Sequence, residues 1–494
     1  MSTLSDKTGF LIVANLVKYS IGFMVPIVLV RALNQQEYGS YQQLLLIGNA
    51  LAGIMTLGLP ASIYYFYHHV STTGRRPALV LQTVFMLAVM GLVSGALVYL
   101  AAPFLAQRMS NPDLTGFLNI YAFYVVFFIA SEHFIHFLIS QDRYRLAVWF
   151  EAGETTLRVV ILFLPLLLGF GLVGLVWATV VYASLRFTIR TGIILRAVKG
   201  FSGPWAASLF LSEQLRYSFP LFLSSLIGFI GALLDKAIIA LFFTPVHFAI
   251  YTVGALEIPL DVIFQASVAN VLRASLPPLV QEGNLAEIIR IWRESVRKLA
   301  IILLPSFVFL LGFSYDFITL LFTDKYAESV YVFRIYLFLM PFNIFVFSLM
   351  PQVFGKTRIN LYISIGAILA HVALSFLLLW AIGFYGPVLS TVITVLFISI
   401  AYFVVTMRLV KATSAWELLP LASLLKIFTL AILSLIMAYL VRGFFDVKWI
   451  DFMACAIIYS VSFLLLAIWS GVLTGEDKRL MWRWIAKVLP RNMR

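Results

Sequence analysis

Four basic residues fall deep inside apolar stretches of this sequence, Lys18, Arg158, Arg186 and Lys236, and a fifth, Arg334, lies nearer the outer end of its stretch. A charge in hydrocarbon costs about 2.5 to 3.5 kcal/mol on insertion scales, so a membrane helix keeps one only where protein, water or a ligand solvates it. A basic side chain that faces water at such a depth is suited to binding an anion. Polar and acidic residues at similar depths are expected to line the same cavity or to couple transport: Asn15, Asn49, Glu132, Glu154, Asp235, Glu257, Asp261 and His371.

These residues recur at helical spacing, which gives several apolar segments one polar face each. Asn15 and Lys18 lie at i and i+3 of the first segment, and Gly228, Gly231 and Asp235 lie on one face of the segment after the chain's midpoint. The rest of each segment is rich in Leu, Ile and Phe. Such stripes predict helices whose polar faces together line an aqueous pathway.

Each charge also has a structural interpretation. Lys236 and Arg334 are placed where they could extend to the outer membrane interface. Glu154 and Arg158 have the i, i+4 spacing of an ion pair within one helix. An isolated histidine such as His371 is more often a core residue with satisfied hydrogen bonds than a ligand. Lys18 has no acid near it on its own helix, which favours a functional role.

The composition indicates the elements that position these charges. The chain has 494 residues, 62% hydrophobic and 12% charged, so it is predicted to be an all-α polytopic membrane protein. Windows of about 20 apolar residues give about fourteen transmembrane helices. Most Lys and Arg fall in alternate loops and in the tail, which predicts that both termini are cytoplasmic. The net charge of +13 is then explained by topology and by attraction to anionic lipid rather than by nucleic acid.

Weak internal similarity predicts a parallel repeat, for which chance identity in so biased a composition is the alternative. The matching positions are Gly174, Val176, Thr179 and Arg196 in the first half and Gly386, Val388, Thr391 and Arg408 in the second. The predicted organisation is a six-helix lobe over 1–200, a second over 201–412, two further helices over 413–474, and a basic amphipathic tail over 475–494 that lies on the inner leaflet.

No catalytic constellation accompanies these charges. The sequence has no phosphate-binding glycine loop, no metal-ligand cluster and no nucleophile beside a base in a sizeable loop, and its single Cys455 excludes a disulfide framework. We therefore expect a protein that is not an enzyme and needs no cofactor. A membrane glycan polymerase or ligase is the alternative of another class, but it would be expected to carry a long external loop, and none is predicted.

Several short motifs resemble the oligosaccharide flippases of the polysaccharide transporter group, the Wzx-type proteins of the multidrug/oligosaccharidyl-lipid/polysaccharide superfamily. They extend from about Gly9 to Met407 and comprise Arg31-Ala32-Leu33, Glu37-Tyr38-Gly39 and Tyr41-Gln42 in the first hairpin, then Pro220, Ser224, Asp235-Lys236, Tyr251 and Lys325-Tyr326. The resemblance implies a MATE/MurJ-like fold, with two six-helix lobes around a cation-lined cavity. The fourteen-span members of the superfamily are similar to the lipid II flippase group, in which the last two helices form a groove for the lipid tail.

The resemblance also implies the substrate, a glycan on a polyprenyl diphosphate that passes from the inner to the outer leaflet of the cytoplasmic membrane by alternating access. Lys18, Arg158 and Lys236 would then contact the diphosphate. Membrane lipid, an H⁺ or Na⁺ coupling ion, and polysaccharide polymerase or assembly proteins are the expected partners, and nucleic acid is not. A cation-coupled drug or metabolite antiporter of the same superfamily remains the alternative, for which acids should dominate the cavity.

Overall fold

The computed structural model describes residues 20–69, 76–198, 211–475 and 477, and this part of the chain is helical without strands. The helices of its first half are α1 Ser20–Ala32, α2 Gln35–Met55, α3 Leu59–His69, α4 Arg76–Arg108, α5 Leu114–Ala130, α6 Phe134–Ser140, α7 Tyr144–Leu167, α8 Gly171–Ala197, α9 Leu211–Phe242, α10 Pro245–Gly254 and α11 Pro259–Gln281. Those of its second half are α12 Leu285–Gly312, α13 Ser314–Phe322, α14 Ser329–Leu337, α15 Leu339–Asn343, α16 Leu349–Val353, α17 Thr357–Ile382, α18 Gly386–Val410, α19 Ala415–Leu418, α20 Leu421–Tyr439 and α21 Lys448–Trp469.

Membrane-crossing helices dominate the described chain. Nine stretches are long and apolar enough to span a bilayer, or ten if α10 and α11 form one broken span. One of the nine, Thr357–Val410, contains two of the predicted spans, α17 and α18. The prediction of an all-α multi-pass membrane protein is confirmed, and a count of about fourteen is consistent with the remaining helices, α1, α7 and α13 to α16.

Several predicted spans are interrupted rather than continuous. The second, predicted over 41–66, breaks between α2 and α3, where Leu57 and Gly58 adopt positive φ angles of 48° and 69°. The fourth, predicted over 116–139, breaks between α5 and α6, at a turn over 131–133. The tenth, predicted as one helix over 330–354, is divided into α14, α15 and α16, which contain Pro341 and Pro351. Proline lacks the amide hydrogen that a continuous helix needs.

The motif Glu37-Tyr38-Gly39 lies at the start of α2, where it takes part in capping the helix. The Asn34 side chain accepts from the backbone amide of Glu37 at 2.9 Å, and the Glu37 carboxylate accepts from the amide of Asn34 at 2.9 Å. This reciprocal capping box satisfies two amides that would otherwise have no partner at the helix start. Two residues later, Gly39 lies against the backbone of Pro245 at the start of α10. The motif therefore caps α2 and allows its close approach to α10.

The chain divides into two compact units. The first comprises residues up to Ala255 together with Ser364–Thr391, and the second comprises Leu256–Ile363 with Val392–Arg494. This grouping reflects packing in the structure, whereas the division into two six-helix sequence repeats stays a prediction. The predicted basic tail over 475–494 lies almost entirely outside the described residues.

Candidate functional site

A cavity of about 520 Å³ lies in the first unit, where two broken spans meet. Its wall includes Thr56 and Gly58 from the α2–α3 break and Glu132 from the α5–α6 break. Irregular backbone at membrane depth is tolerated where it lines a water-filled space, because water can satisfy the freed polar groups. The other polar and aromatic lining residues are Asn49, His136, Phe128 and Phe229. Two predicted site residues, Asn49 and Glu132, are thus brought together.

Arg186 of α8 binds Glu132, one of the residues of the cavity wall. Its guanidinium donates to the Glu132 carboxylate at 2.9 Å and to the Phe128 carbonyl at 3.4 Å, and it lies 4.4 Å from the centre of the Phe128 ring. The Arg186 residue is only 8% exposed. It was predicted to contact substrate, but the structure shows it holding Glu132 and the end of α5.

Arg190, one turn further along α8, was not singled out by the sequence. It is 3% exposed, and its Nε donates to Glu154 at 2.8 Å while its Nη1 donates to the Ser131 carbonyl at 2.8 Å. The i, i+4 spacing from Arg186 was the signal that could have identified it. The expected pairing of Glu154 with Arg158 is therefore wrong: Glu154 binds Arg190 on the neighbouring helix.

The two arginines explain why α5 can stop inside the membrane. A helix end leaves carbonyl groups without intrahelical donors, and its dipole favours positive charge there. No proline or glycine lies in the segment 131–133. Arg186 and Arg190 supply the donors from α8, so the break depends on contacts with another helix.

Arg158 of α7 has a different environment. Among the described residues no carboxylate forms an ion pair with it. Its electrostatic neighbours are the hydroxyl groups of Tyr124, Tyr41 and Tyr182. The ring of Tyr124 stacks on that of Phe128, which lines the cavity. Arg158 is thus a half-buried cation with only phenolic neighbours, and such a guanidinium can bind an anion bidentately.

A second polar cluster in the first unit is built on Asp235 of α9. Asp235 is 2% exposed and accepts a hydrogen bond from the Tyr251 hydroxyl at 2.9 Å. His371 of α17 is an electrostatic neighbour of Asp235, and its ring nitrogen lies 3.2 Å from the Thr391 hydroxyl. The adjacent Lys236 is half-buried. This arrangement gives Asp235 and His371 internal partners.

The remaining predicted site residues are dispersed. In the second unit, Asp261 is buried and accepts hydrogen bonds from Gln265 and Asn343, each at 2.7 Å, whereas Glu257 is exposed. Arg334 is exposed and donates to the Ser314 hydroxyl at 2.7 Å. A coupling role for Glu257 and Asp261 stays a proposal. Asn15 and Lys18 lie outside the described residues.

The fold places the protein in a structural class. It superposes on the lipid II flippase MurJ in an inward closed conformation with a TM-score of 0.67 and 14% identity, covering 92% of this chain and 98% of that one. An inward-facing multidrug resistance MATE family transporter of the MOP superfamily gives 0.59 and 17%, over 81% and 100%. A mutant of the Vibrio cholerae MATE transporter VcmN gives 0.53 and 14%, over 82% and 96%. The chain thus has the fold of these membrane transporters.

The sequence match is more specific than the fold. A model of the family described as "Polysaccharide biosynthesis protein" matches residues 4–280, more than half of the chain, and the protein belongs to that family. The resemblance drawn from Glu37-Tyr38-Gly39 and Asp235-Lys236 is thereby confirmed. A search of the curated proteins found no match to the sequence.

Proposed function

We propose that the protein is a flippase that moves a polyprenyl-diphosphate-linked glycan from the inner to the outer leaflet of the cytoplasmic membrane by alternating access. Membership of the polysaccharide biosynthesis family and the fold shared with MurJ support a transporter of this kind. The observation that carries the proposal is Arg158, a half-buried guanidinium with no carboxylate partner among the described residues. Its neighbour Tyr124 stacks on Phe128, which belongs to the polar and aromatic wall of the cavity.

The chemistry of the cavity suits this substrate. Asn49, Thr56 and His136 can exchange hydrogen bonds with sugar hydroxyls, and Phe128 and Phe229 offer apolar faces for sugar rings. Arg158 would bind the diphosphate, together with Lys18 and Lys236 as the sequence predicts. The lipid tail would stay in the bilayer.

A cation-coupled antiporter is less well supported by the same residues. Glu132 and Glu154 are each paired with an arginine, Arg186 and Arg190, so the charge of each carboxylate is already balanced within the protein. The proposed inner-membrane location and cytoplasmic termini follow from the distribution of Lys and Arg along the sequence.

Replacing Arg158 by methionine is expected to lower glycan transport at least tenfold, because a charge-assisted contact to an anion contributes about 1.5–3 kcal/mol. Thermal stability should change little, since no carboxylate of the described residues loses its partner. Arg158→Lys should retain part of the activity because it keeps the charge. The measurement is lectin detection of glycan at the surface of cells whose chromosomal copy is deleted, together with lipid-linked glycan accumulated inside.

The matched control is Arg108→Gln, which removes an exposed arginine at the end of α4. It should transport as the unaltered protein does. Normal transport by a correctly inserted Arg158→Met protein would contradict the proposed anion contact. Efflux of organic cations driven by an H⁺ or Na⁺ gradient, with no effect on surface glycan, would instead favour the antiporter.

A further inference from the structure

The second unit contains a basic pocket that shares no lining residue with the cavity described above. It has a volume of about 490 Å³ and is lined by Arg293 and Arg297 of α12, Ser423 of α20, and Thr474 beyond α21. The lining residues come from α12, from the start of α20 and from the segment that follows α21, so the pocket brings together three separate parts of the chain.

Both arginines are anchored through only part of the guanidinium. Nη1 of Arg293 donates to the carbonyl of Glu417 at 2.7 Å and to that of Trp416. Nη1 of Arg297 donates to the Val472 carbonyl at 2.9 Å and to Asp477 at 2.8 Å. Within the described ranges, Nε and Nη2 of Arg293 and Arg297 have no partner. The anchors therefore orient two guanidinium groups whose remaining N–H donors are available to a ligand.

The charge balance of the pocket is positive. Glu294, the one acid in its lining, is turned to Lys298, whose Nζ lies 2.6 Å from its carboxylate, and to Arg290 at 3.6 Å. Partial burial acts to raise the pKa of Asp477, but hydrogen bonds from Arg297 and Thr474 outweigh it and lower that pKa, so Asp477 stays charged and offsets Arg297. Arg293 has no carboxylate partner in the described part of the chain.

The pocket lies at the depth of lipid headgroups. Helix α12 has 28 residues, and about twenty residues suffice to cross the hydrocarbon core, so counting back from Gly312 places Arg293 close to the membrane boundary. Trp416 and Trp469, at the same end of the bundle, are 67% and 88% exposed. Exposed tryptophans are typical of the membrane interface. The ends of α20 and α21 meet here through a hydrogen bond from Lys426 to the Ser470 carbonyl.

We propose that this pocket binds the phosphate of an anionic phospholipid headgroup, through the free N–H groups of Arg293 and Arg297 and the hydroxyl of Ser423. Planar guanidinium groups recognise phosphate oxygens bidentately. Basic pockets between transmembrane helices at the inner face are suited to anionic headgroups. A bound lipid would hold α12 against α20. This site is independent of the proposed transport function, and its occupant is a resident lipid rather than the transported one.

The test uses the full-length protein in detergent, with thermal unfolding followed as phosphatidylglycerol is added. We expect stabilisation by phosphatidylglycerol and not by phosphatidylcholine. Arg293→Gln should raise the concentration for half-maximal stabilisation about tenfold, because one charge-assisted contact is lost. Arg273→Gln is the matched control, since Arg273 is an exposed arginine of α11 outside the lining, and it should respond as the unaltered protein does.

Ser423→Ala covers the case in which Arg293→Gln does not fold, because it leaves the anchoring of α19 intact; it should weaken the response about threefold. Inorganic phosphate at matched phosphorus concentration separates the two sources of the ligand: equal stabilisation would assign the site to soluble phosphate and overturn the lipid assignment. An unchanged phosphatidylglycerol response in folded Arg293→Gln or Ser423→Ala protein, or an equal loss in Arg273→Gln, would overturn the pocket itself.

Discussion

Replacing Arg190 by methionine is expected to destabilise the protein by about 3–5 kcal/mol, the cost of removing one partner of a buried ion pair. The Glu154 carboxylate would lose the guanidinium that pairs with it, and the Ser131 carbonyl would lose the donor that closes α5. The measurement is thermal unfolding of the purified protein in detergent, followed by tryptophan fluorescence, with the membrane-inserted yield as a second readout.

Two variants distinguish the contribution of the Glu154–Arg190 ion pair from that of the other contacts of Arg190. The double variant Glu154→Gln, Arg190→Met removes both charges, and it should recover part of the lost stability because no ion is left buried. Arg186→Met should cost less than Arg190→Met, since the Glu132 side chain is 29% exposed whereas that of Glu154 is 13% exposed. Equal stability of Arg190→Met and the unaltered protein would show that the pair does not hold the α5–α6 break.

The contrast with Arg158 assigns different roles to two arginines of one bundle. Arg158→Met is expected to lose transport and keep stability, because it leaves no carboxylate without a partner. Arg190→Met is expected to lose stability first, and transport only as a consequence. A buried charge in a membrane protein can thus serve binding or architecture, and the presence of a carboxylate partner distinguishes the two.

The polar faces could be predicted from the sequence because helical periodicity is a local property. Asn49 and Glu132 each lie on a predicted polar stripe, and the structure places both on the wall of one cavity. The polar faces require only residue types and spacing along a helix. The family was indicated by the resemblance of the Glu37-Tyr38-Gly39 and Asp235-Lys236 motifs to known flippases, and it is confirmed by the family match.

The partners of the charges could not be predicted in the same way. Glu154 was expected to bind Arg158 on its own helix, but Arg190 of α8 binds both oxygens of the carboxylate. The break between α5 and α6 has no proline or glycine, and it becomes stable only when Arg186 and Arg190 supply donors from another helix. Such features depend on tertiary packing, and helical periodicity gives no information about contacts between helices.

Gly39 should tolerate no side chain. A Cβ at this position would lie 1.9 Å from the carbonyl oxygen of Pro245 and 2.5 Å from its carbonyl carbon, and these are backbone atoms that cannot rotate away. Separations below 3.0 Å are essentially never observed for a real Cβ. Helices α2 and α10 would have to separate, which opens the packing around Tyr38 and Phe248, both nearly inaccessible to solvent.

Gly39→Ala is therefore expected to lower the unfolding temperature clearly, with an overpacking cost of about 1–3 kcal/mol or more, and Gly39→Val to lower it further. If the proposed function holds, surface glycan should fall with it, because a less stable protein is present in smaller amounts in its folded state. Gly153→Ala is the matched control: nothing lies within 4 Å of a Cβ there, and alanine favours a helix over glycine. If Gly39→Ala and Gly153→Ala proteins unfold at the same temperature and transport equally, the close approach of α2 to α10 does not occur in the working protein.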